Sequence, residues 1–390
     1  MGIKEEKMKK KNYIIIMLLI FISIIMLILF FRKNNIQDEN LINVQIDFGK
    51  ETKKISQYIY GINQGGDLDK AKVISAREGG NRRSTYNWEN NYSNAGSDWK
   101  NSSDTYLTNS TIPGADTIEF IKEANNHNIE YKVATLQMLG YVSADKNGIV
   151  SSSERAPSKR WCKVEFRKKG SLSLTPDLTD GVVYMDEYLN YLIKKLGDST
   201  TSTGIQGYSL DNEPGLWNST HSLAHPEKTT MAELISKSTE LSQVIKELDP
   251  NADVFGPALF GTLSYSRLSL DKNTEQYDEW ENIKKQNGYN WFVDYYLDEM
   301  SKASKSAGKR LLDYFDIHYY SEACDTPEKL LQASRTLYDP TFIEDSYVGE
   351  WFSNELPYLP KIHESIEKYF PGTKIAITEY GFRGKRKYNI

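Results

Sequence analysis

The chain has 390 residues, a formal charge of −5, 39% hydrophobic and 26% charged residues. That balance is not basic enough for a nucleic-acid partner, and it leaves ample apolar material for a large core. The 26 tyrosines and 7 tryptophans suit either an aromatic core or a surface that stacks on sugar rings. The 2 cysteines, Cys162 and Cys324, are too few for a disulfide framework and lack metal-type spacing, and their pairing stays open.

Residues 1–12 form a basic segment with Lys4, Lys7, Lys9, Lys10 and Lys11. An uncharged apolar run follows, Tyr13 to Phe31. At about 1.5 Å per residue it nearly spans a bilayer core of about 30 Å. The residues after it, Arg32-Lys33-Asn34-Asn35, offer no small-residue cleavage site. The pattern predicts an uncleaved transmembrane signal anchor in preference to a cleaved signal peptide, with the bulk of the chain outside the cytoplasm. Residues 13–31 then make the membrane a partner; if they are cleaved, the protein is secreted. Residues 32–41 read as a polar linker. "LINVQIDFG" (41–49) alternates as a half-buried strand does.

From there strand and helix patterns take turns. Strands are predicted at 58–63, 72–81, 129–138, 204–213, 252–260, 312–320 and 374–380. Helices are predicted at 111–128, 183–197, 229–250, 291–304 and 360–370. In the third of these, Thr230 and Glu233 form a capping-box pattern and Pro250 stops the helix. Such alternation predicts a parallel sheet with crossover helices. Several strands end on polar residues: Asn63, Asn81-Arg82, Gln137, Asn212-Glu213, His318 and Glu379. In a β/α barrel those ends line one mouth. A doubly wound sheet would carry a Gly-rich phosphate turn after its first strand, and "GINQGGD" matches that poorly. The segment 79–101, rich in Asn and aromatics, reads as a long functional loop.

Glu213 and Glu379 each end a predicted strand, "YSLDNE" and "IAITE". A strand-end Glu is ordinarily a solvated or salt-bridged residue. Two of them at one barrel mouth suit glycoside hydrolysis, which needs one protonated and one ionised carboxyl group flanking the scissile bond. Asn212 is placed to hydrogen-bond a sugar hydroxyl. His318 and Tyr320, two apart on one strand, share a face and can reach the second carboxylate.

"IYGINQ", "GGNRRSTYNWENNYSNAGSDW", "YSLDNEP", "FDIHYY", "GEWFSN" and "PGTKIAITEY" resemble, in order from about residue 42 to 380, glycoside hydrolase family 44. That family contains secreted bacterial endoglucanases and xyloglucanases. The resemblance implies a TIM (β/α)8-type barrel over 58–380, a retaining mechanism, and β-1,4-glucan substrates such as cellulose or xyloglucan. It makes Glu213 the acid/base and Glu379 the nucleophile, with carboxyl groups about 5–5.5 Å apart. No cofactor is needed for that chemistry. Trp88, Trp99, Trp217 and Trp351 are candidates to stack on glucose, with core packing expected for two of the four. Arg82 either sits under the nucleophile or bridges two loops. Family members hold calcium near "TPDLTDGVVYMDE", which makes Asp177 and Asp180 candidate ligands; the plainer reading is a helix N-terminus decorated with Asp.

The chain departs from the family after "ITEY". Family members continue into an eighth strand and helix and most of a β-sandwich. Here residues 42–57 resemble that sandwich's first strand, and 381–390 read as an unstructured tail. The expectation is a barrel of seven strands with two exposed edges. The alternative to an active hydrolase is a truncated relative that binds polysaccharide with weak or no turnover.

Overall fold

A computed structural model describes residues 17–27, 45, 47–49 and 54–382. The chain divides into two units, Met1–Ile55 and Ser56–Ile390. In the first, residues 17–27 are helical. Among the described residues no helix is long and apolar enough to cross a membrane. The rest of the 13–31 run, residues 1–12, the linker at 32–41, most of the 41–49 strand pattern and residues 383–390 of the tail lie outside the described residues.

In the second unit seven parallel strands pair in chain order: β1 (Gly61–Asn63), β2 (Ser75–Arg77), β3 (Tyr131–Leu136), β4 (Gly207–Leu210), β5 (Asp253–Leu259), β6 (Tyr314–Tyr320) and β7 (Lys374–Gly381). Every strand neighbours its predecessor, the walk of a β/α barrel. β1 and β7 share no ladder, but Asn63 Nδ2 donates to Thr378 O at 3.0 Å. The sheet is therefore a nearly closed barrel whose two edges meet through a side chain. The crossover helices are α1 (Ala115–Asn126), α2 (Met185–Leu196), α3 (Met231–Leu248), α4 (Phe292–Ala307) and α5 (Tyr358–Tyr369).

The sequence explains these elements. All of β3 is buried, as a strand covered on both faces must be. On α2, Met185, Tyr188, Leu189, Leu192 and Leu196 are buried at helical spacing. Thr230 caps α3 by accepting from Glu233 N at 3.1 Å. The expected box is only half made, because the Glu233 carboxylate turns to His225 and Lys237 instead. Glu275–Asn287 is the longest of several helices that fall where none is predicted.

The segment 79–101 is not an open loop. It holds 3-10 helices at Asn81–Thr85 and Gly96–Trp99 and a short strand, Ser93–Asn94. Asn91 Nδ2 donates to Ser110 O and Ile112 O, and Asn94 Nδ2 to Asn101 O. These amides satisfy backbone carbonyls that no regular ladder would reach. Trp88 is fully buried and stacks on Tyr188 with ring centroids 5.1 Å apart. It is a core residue rather than a sugar platform. Trp88→Ala is expected to cost about 3–5 kcal/mol, read as a fall in Cm for urea unfolding; an unchanged Cm would show that the indole packs less tightly than this.

Candidate active site

The carboxyl ends of four strands converge. β2 delivers Arg77, β4 runs into Asp211-Asn212-Glu213, β6 carries His318 and Tyr320, and β7 carries Glu379. The register shifts between Ile317 and His318, which sets His318 opposite Glu379. A bulge of this kind re-aims side chains at a barrel rim. After β4 the chain turns sharply: Asp211 and Glu213 both adopt left-handed backbone, φ 61° and 45°. Such conformations are costly for residues other than glycine and cluster at functional sites.

One oxygen of Glu213, one of Glu379 and a ring nitrogen of His318 lie within 4.8 Å of one another. His318 Nδ1 is 2.8 Å from Glu213 Oε1 and 3.6 Å from Glu379 Oε2. Arg77 Nη1 donates to Glu379 Oε1 at 2.9 Å, and Tyr320 OH donates to Oε2 at 2.9 Å. Burial raises the Glu379 pKa, but the charges of His318 and Arg77 and the bonds from Arg77 and Tyr320 outweigh it. The carboxyl is held below its ordinary value. Burial and the Glu379 charge push the Tyr320 phenol up, so it stays a donor. Among the described residues this trio is the one set of three metal-capable side chains so close together. The adjacent Arg77 cation and the bonds already made favour a carboxylate pair over a metal centre.

Asn212 is nearly buried. Its Oδ1 accepts from Arg77 Nη2 at 2.9 Å and its Nδ2 donates to Asn81 Oδ1 at 3.2 Å. An amide nitrogen has two N–H groups, so one remains for a ligand. Asn81 is itself held: its carbonyl meets His221 Nε2 at 2.8 Å. Burial pushes the His221 pKa down to about 4, which keeps it a neutral donor.

The remaining predicted residues sort differently. Arg82 bridges loops, with Nη1 2.5 Å from Asp104 and 3.1 Å from Ser93 Oγ. Arg77 takes the place under Glu379. The sequence signal for Arg77 is a cation two residues before Gly79-Gly80; a Cβ at Gly79 would sit 2.3 Å from the Arg77 guanidinium. Trp217 is fully buried and donates from Nε1 to Asn212 O at 2.9 Å. It braces the turn from below and offers no face to a sugar. Trp99 and Trp351 are 63% and 68% exposed.

Asp177 and Asp180 are exposed and accept local turn bonds from Thr179 and Val182. Two residues that sequence reasoning missed lie near them. Burial, with the charges of Asp180 and Glu187, pushes Glu89 up to about 8. Glu187 is fully buried, and its Oε2 has no hydrogen-bond partner among the described residues. Glu187 Oε1 is met by Lys168 Nζ at 2.7 Å and by Ser173 N at 2.6 Å. Glu89, Asp177 and Asp180 beside it leave the cluster richer in carboxylates than in cations, the donor chemistry of a hard divalent cation. Among the described residues their oxygens do not converge as closely as the active-site trio.

The comparisons with known proteins agree with this architecture. A profile described as "Glycoside hydrolase family 44" matches residues 92–323. The chain is 47% identical over 356 residues to "Endoglucanase A" of Paenibacillus lautus, covering 86% of this chain. It spans about half, 49%, of that relative's length. Among solved structures it is similar to a family 44 endoglucanase from Clostridium thermocellum, at TM-score 0.79 and 49% identity, covering 85% of this chain and 68% of the other. It is also similar to a family 44 xyloglucanase from Paenibacillus polymyxa, at TM-score 0.80 and 44% identity, covering 85% and 67%. With the profile, the identity and the barrel in agreement, the chain belongs to glycoside hydrolase family 44.

Proposed function

We propose that the protein is a retaining endo-β-1,4-glucanase-type hydrolase acting on cellulose, xyloglucan or a related β-glucan. The observation that carries this is the close pair Glu213 and Glu379, with oxygens within 4.8 Å and an arginine on Glu379. Retaining enzymes need about 5–5.5 Å between carboxyl groups, and inverting ones about 6.5–9.5 Å, to admit a water. The arginine differentiates the two roles. Glu379, ionised, attacks the anomeric carbon while Glu213 gives its proton to the departing glycosidic oxygen. Glu213 then takes a proton from water, which displaces Glu379 from the sugar. The spare N–H of Asn212 would bond a hydroxyl beside the reacting carbon. Exposed Trp99 and Trp351 would stack on sugar rings further along the chain. The names of the relatives, endoglucanase and xyloglucanase, favour the same substrate class.

Glu89, Asp177, Asp180 and Glu187 would hold calcium. The ion would neutralise their charge and tie the 79–101 segment to the start of α2, with no part in bond cleavage. The basic residues 1–12 and the apolar run 13–31 favour placement outside the cytoplasm, anchored or secreted, where a polymeric glucan is accessible.

The test is release of reducing ends from carboxymethyl-cellulose and xyloglucan by the purified full chain in detergent. Activity on either supports the reading. Folded protein that binds these polymers and cleaves neither overturns it in favour of a binding protein. A pH profile adds a second test. The Glu379 pKa is depressed, so the ionised nucleophile is lost as pH falls through that value. Arg77→Met removes a cause of the depression, and the acidic limb of kcat/KM is expected to move to higher pH. An unmoved limb would mean that another group governs it.

A further inference from the structure

We infer that Asp211 is a positioning residue for the acid/base Glu213, a role that rests on the proposed hydrolytic reading. Asp211 is fully buried and meets no sugar. Its Oδ2 accepts from Met138 N at 2.5 Å and Leu139 N at 2.8 Å. Its Oδ1 accepts from Asn212 N at 2.7 Å and from Ser84 Oγ. One carboxylate thus ties together the chain after β3, the 3-10 helix Asn81–Thr85 and the turn after β4.

That turn needs a clamp. Asp211 and Glu213 both sit at positive φ, and Glu213 N is tied to Ala258 O at 3.1 Å. Strained backbone persists only where its surroundings over-determine it. Relaxing either φ would swing the Glu213 carboxyl away from His318 and from the glycosidic oxygen that it must protonate. Glu379, on β7, is held by Arg77 and Tyr320 and touches the clamped turn only at one remove, where Arg77 Nη2 donates to Asn212 Oδ1 at 2.9 Å. Loss of the clamp therefore damages proton donation directly and nucleophilic attack far less. A general structural role would damage both.

The difference is measurable through the leaving group. A dinitrophenolate departs without a proton, whereas a sugar alkoxide cannot. In Asp211→Asn, kcat/KM for cellotetraose is expected to fall about 100-fold, while kcat/KM for 2,4-dinitrophenyl β-cellobioside falls less than about 5-fold. Ser84→Ala, which removes one donor and leaves the Asp211 carboxyl in place, is expected to show the same asymmetry at smaller amplitude, and it carries the test should Asp211→Asn not fold. Equal losses on both substrates, or no loss on either, overturn the inference. A wild-type protein inactive on both overturns the hydrolytic reading instead.

Discussion

Glu379→Gln is expected to stop turnover, with kcat on β-glucan falling by roughly five to six orders of magnitude, as removal of an enzyme nucleophile does elsewhere. The amide keeps the size of the side chain: its oxygen can still accept from Arg77 Nη1 and its NH2 can donate to the Tyr320 hydroxyl, where the carboxylate accepts from both at 2.9 Å each. The fold and the substrate site should therefore survive. What disappears is the negative charge that attacks the anomeric carbon. Reducing-end release and calorimetric binding of a cello-oligosaccharide check this together. Lost turnover with retained binding supports the assignment. Retained turnover removes Glu379 from the chemistry.

Glu213→Gln should behave differently. On an unactivated glucan the loss of the proton donor is expected to lower kcat/KM by about 10³-fold. On a dinitrophenyl glycoside the first step no longer needs that proton, so kcat/KM should hold. The second step still lacks its base, and a burst of dinitrophenolate should precede slow turnover. The basic limb of the pH profile should vanish as well, because a glutamine has no proton to lose. Uniform loss across both substrates would point to a structural role for Glu213.

Much of the architecture was legible in the chain. All seven strands of the barrel sheet lie within or beside the stretches predicted for them, because most of those stretches are short apolar runs between turn residues. The six short strands of the two smaller sheets, such as Trp161–Glu165, were not predicted. Their ends were less legible: the pattern at 72–81 yields a strand only at Ser75–Arg77. The helix Glu275–Asn287 escaped because it buries one residue, Trp280, and so leaves almost no apolar periodicity. The buried character of 79–101 escaped because asparagine side chains there replace backbone ladders, and such bonds have no period to detect.

At the site, Glu213 and Glu379 stood out because each closes a strand with a carboxylate. That Arg77 rather than Arg82 meets Glu379 follows from closure of the barrel, which brings the end of β2 to the end of β7, and no local pattern carries that. Trp88 and Trp217 look like Trp99 and Trp351 in sequence; only packing separates the two that are fully buried from the two that face solvent. Asp211 reads as a strand stop until its four donors are seen.

The most direct measurement is to trap the covalent intermediate. A 2-deoxy-2-fluoro-β-cellobioside with a dinitrophenyl leaving group forms a glycosyl-enzyme whose fluorine slows release. Peptide mapping by mass spectrometry then locates the sugar. A fluorocellobiosyl ester on Glu379 is the predicted result, formed by the full chain and absent from Glu379→Gln. An ester on another residue, or hydrolysis with inversion and no ester, would contradict the retaining mechanism proposed for this pair.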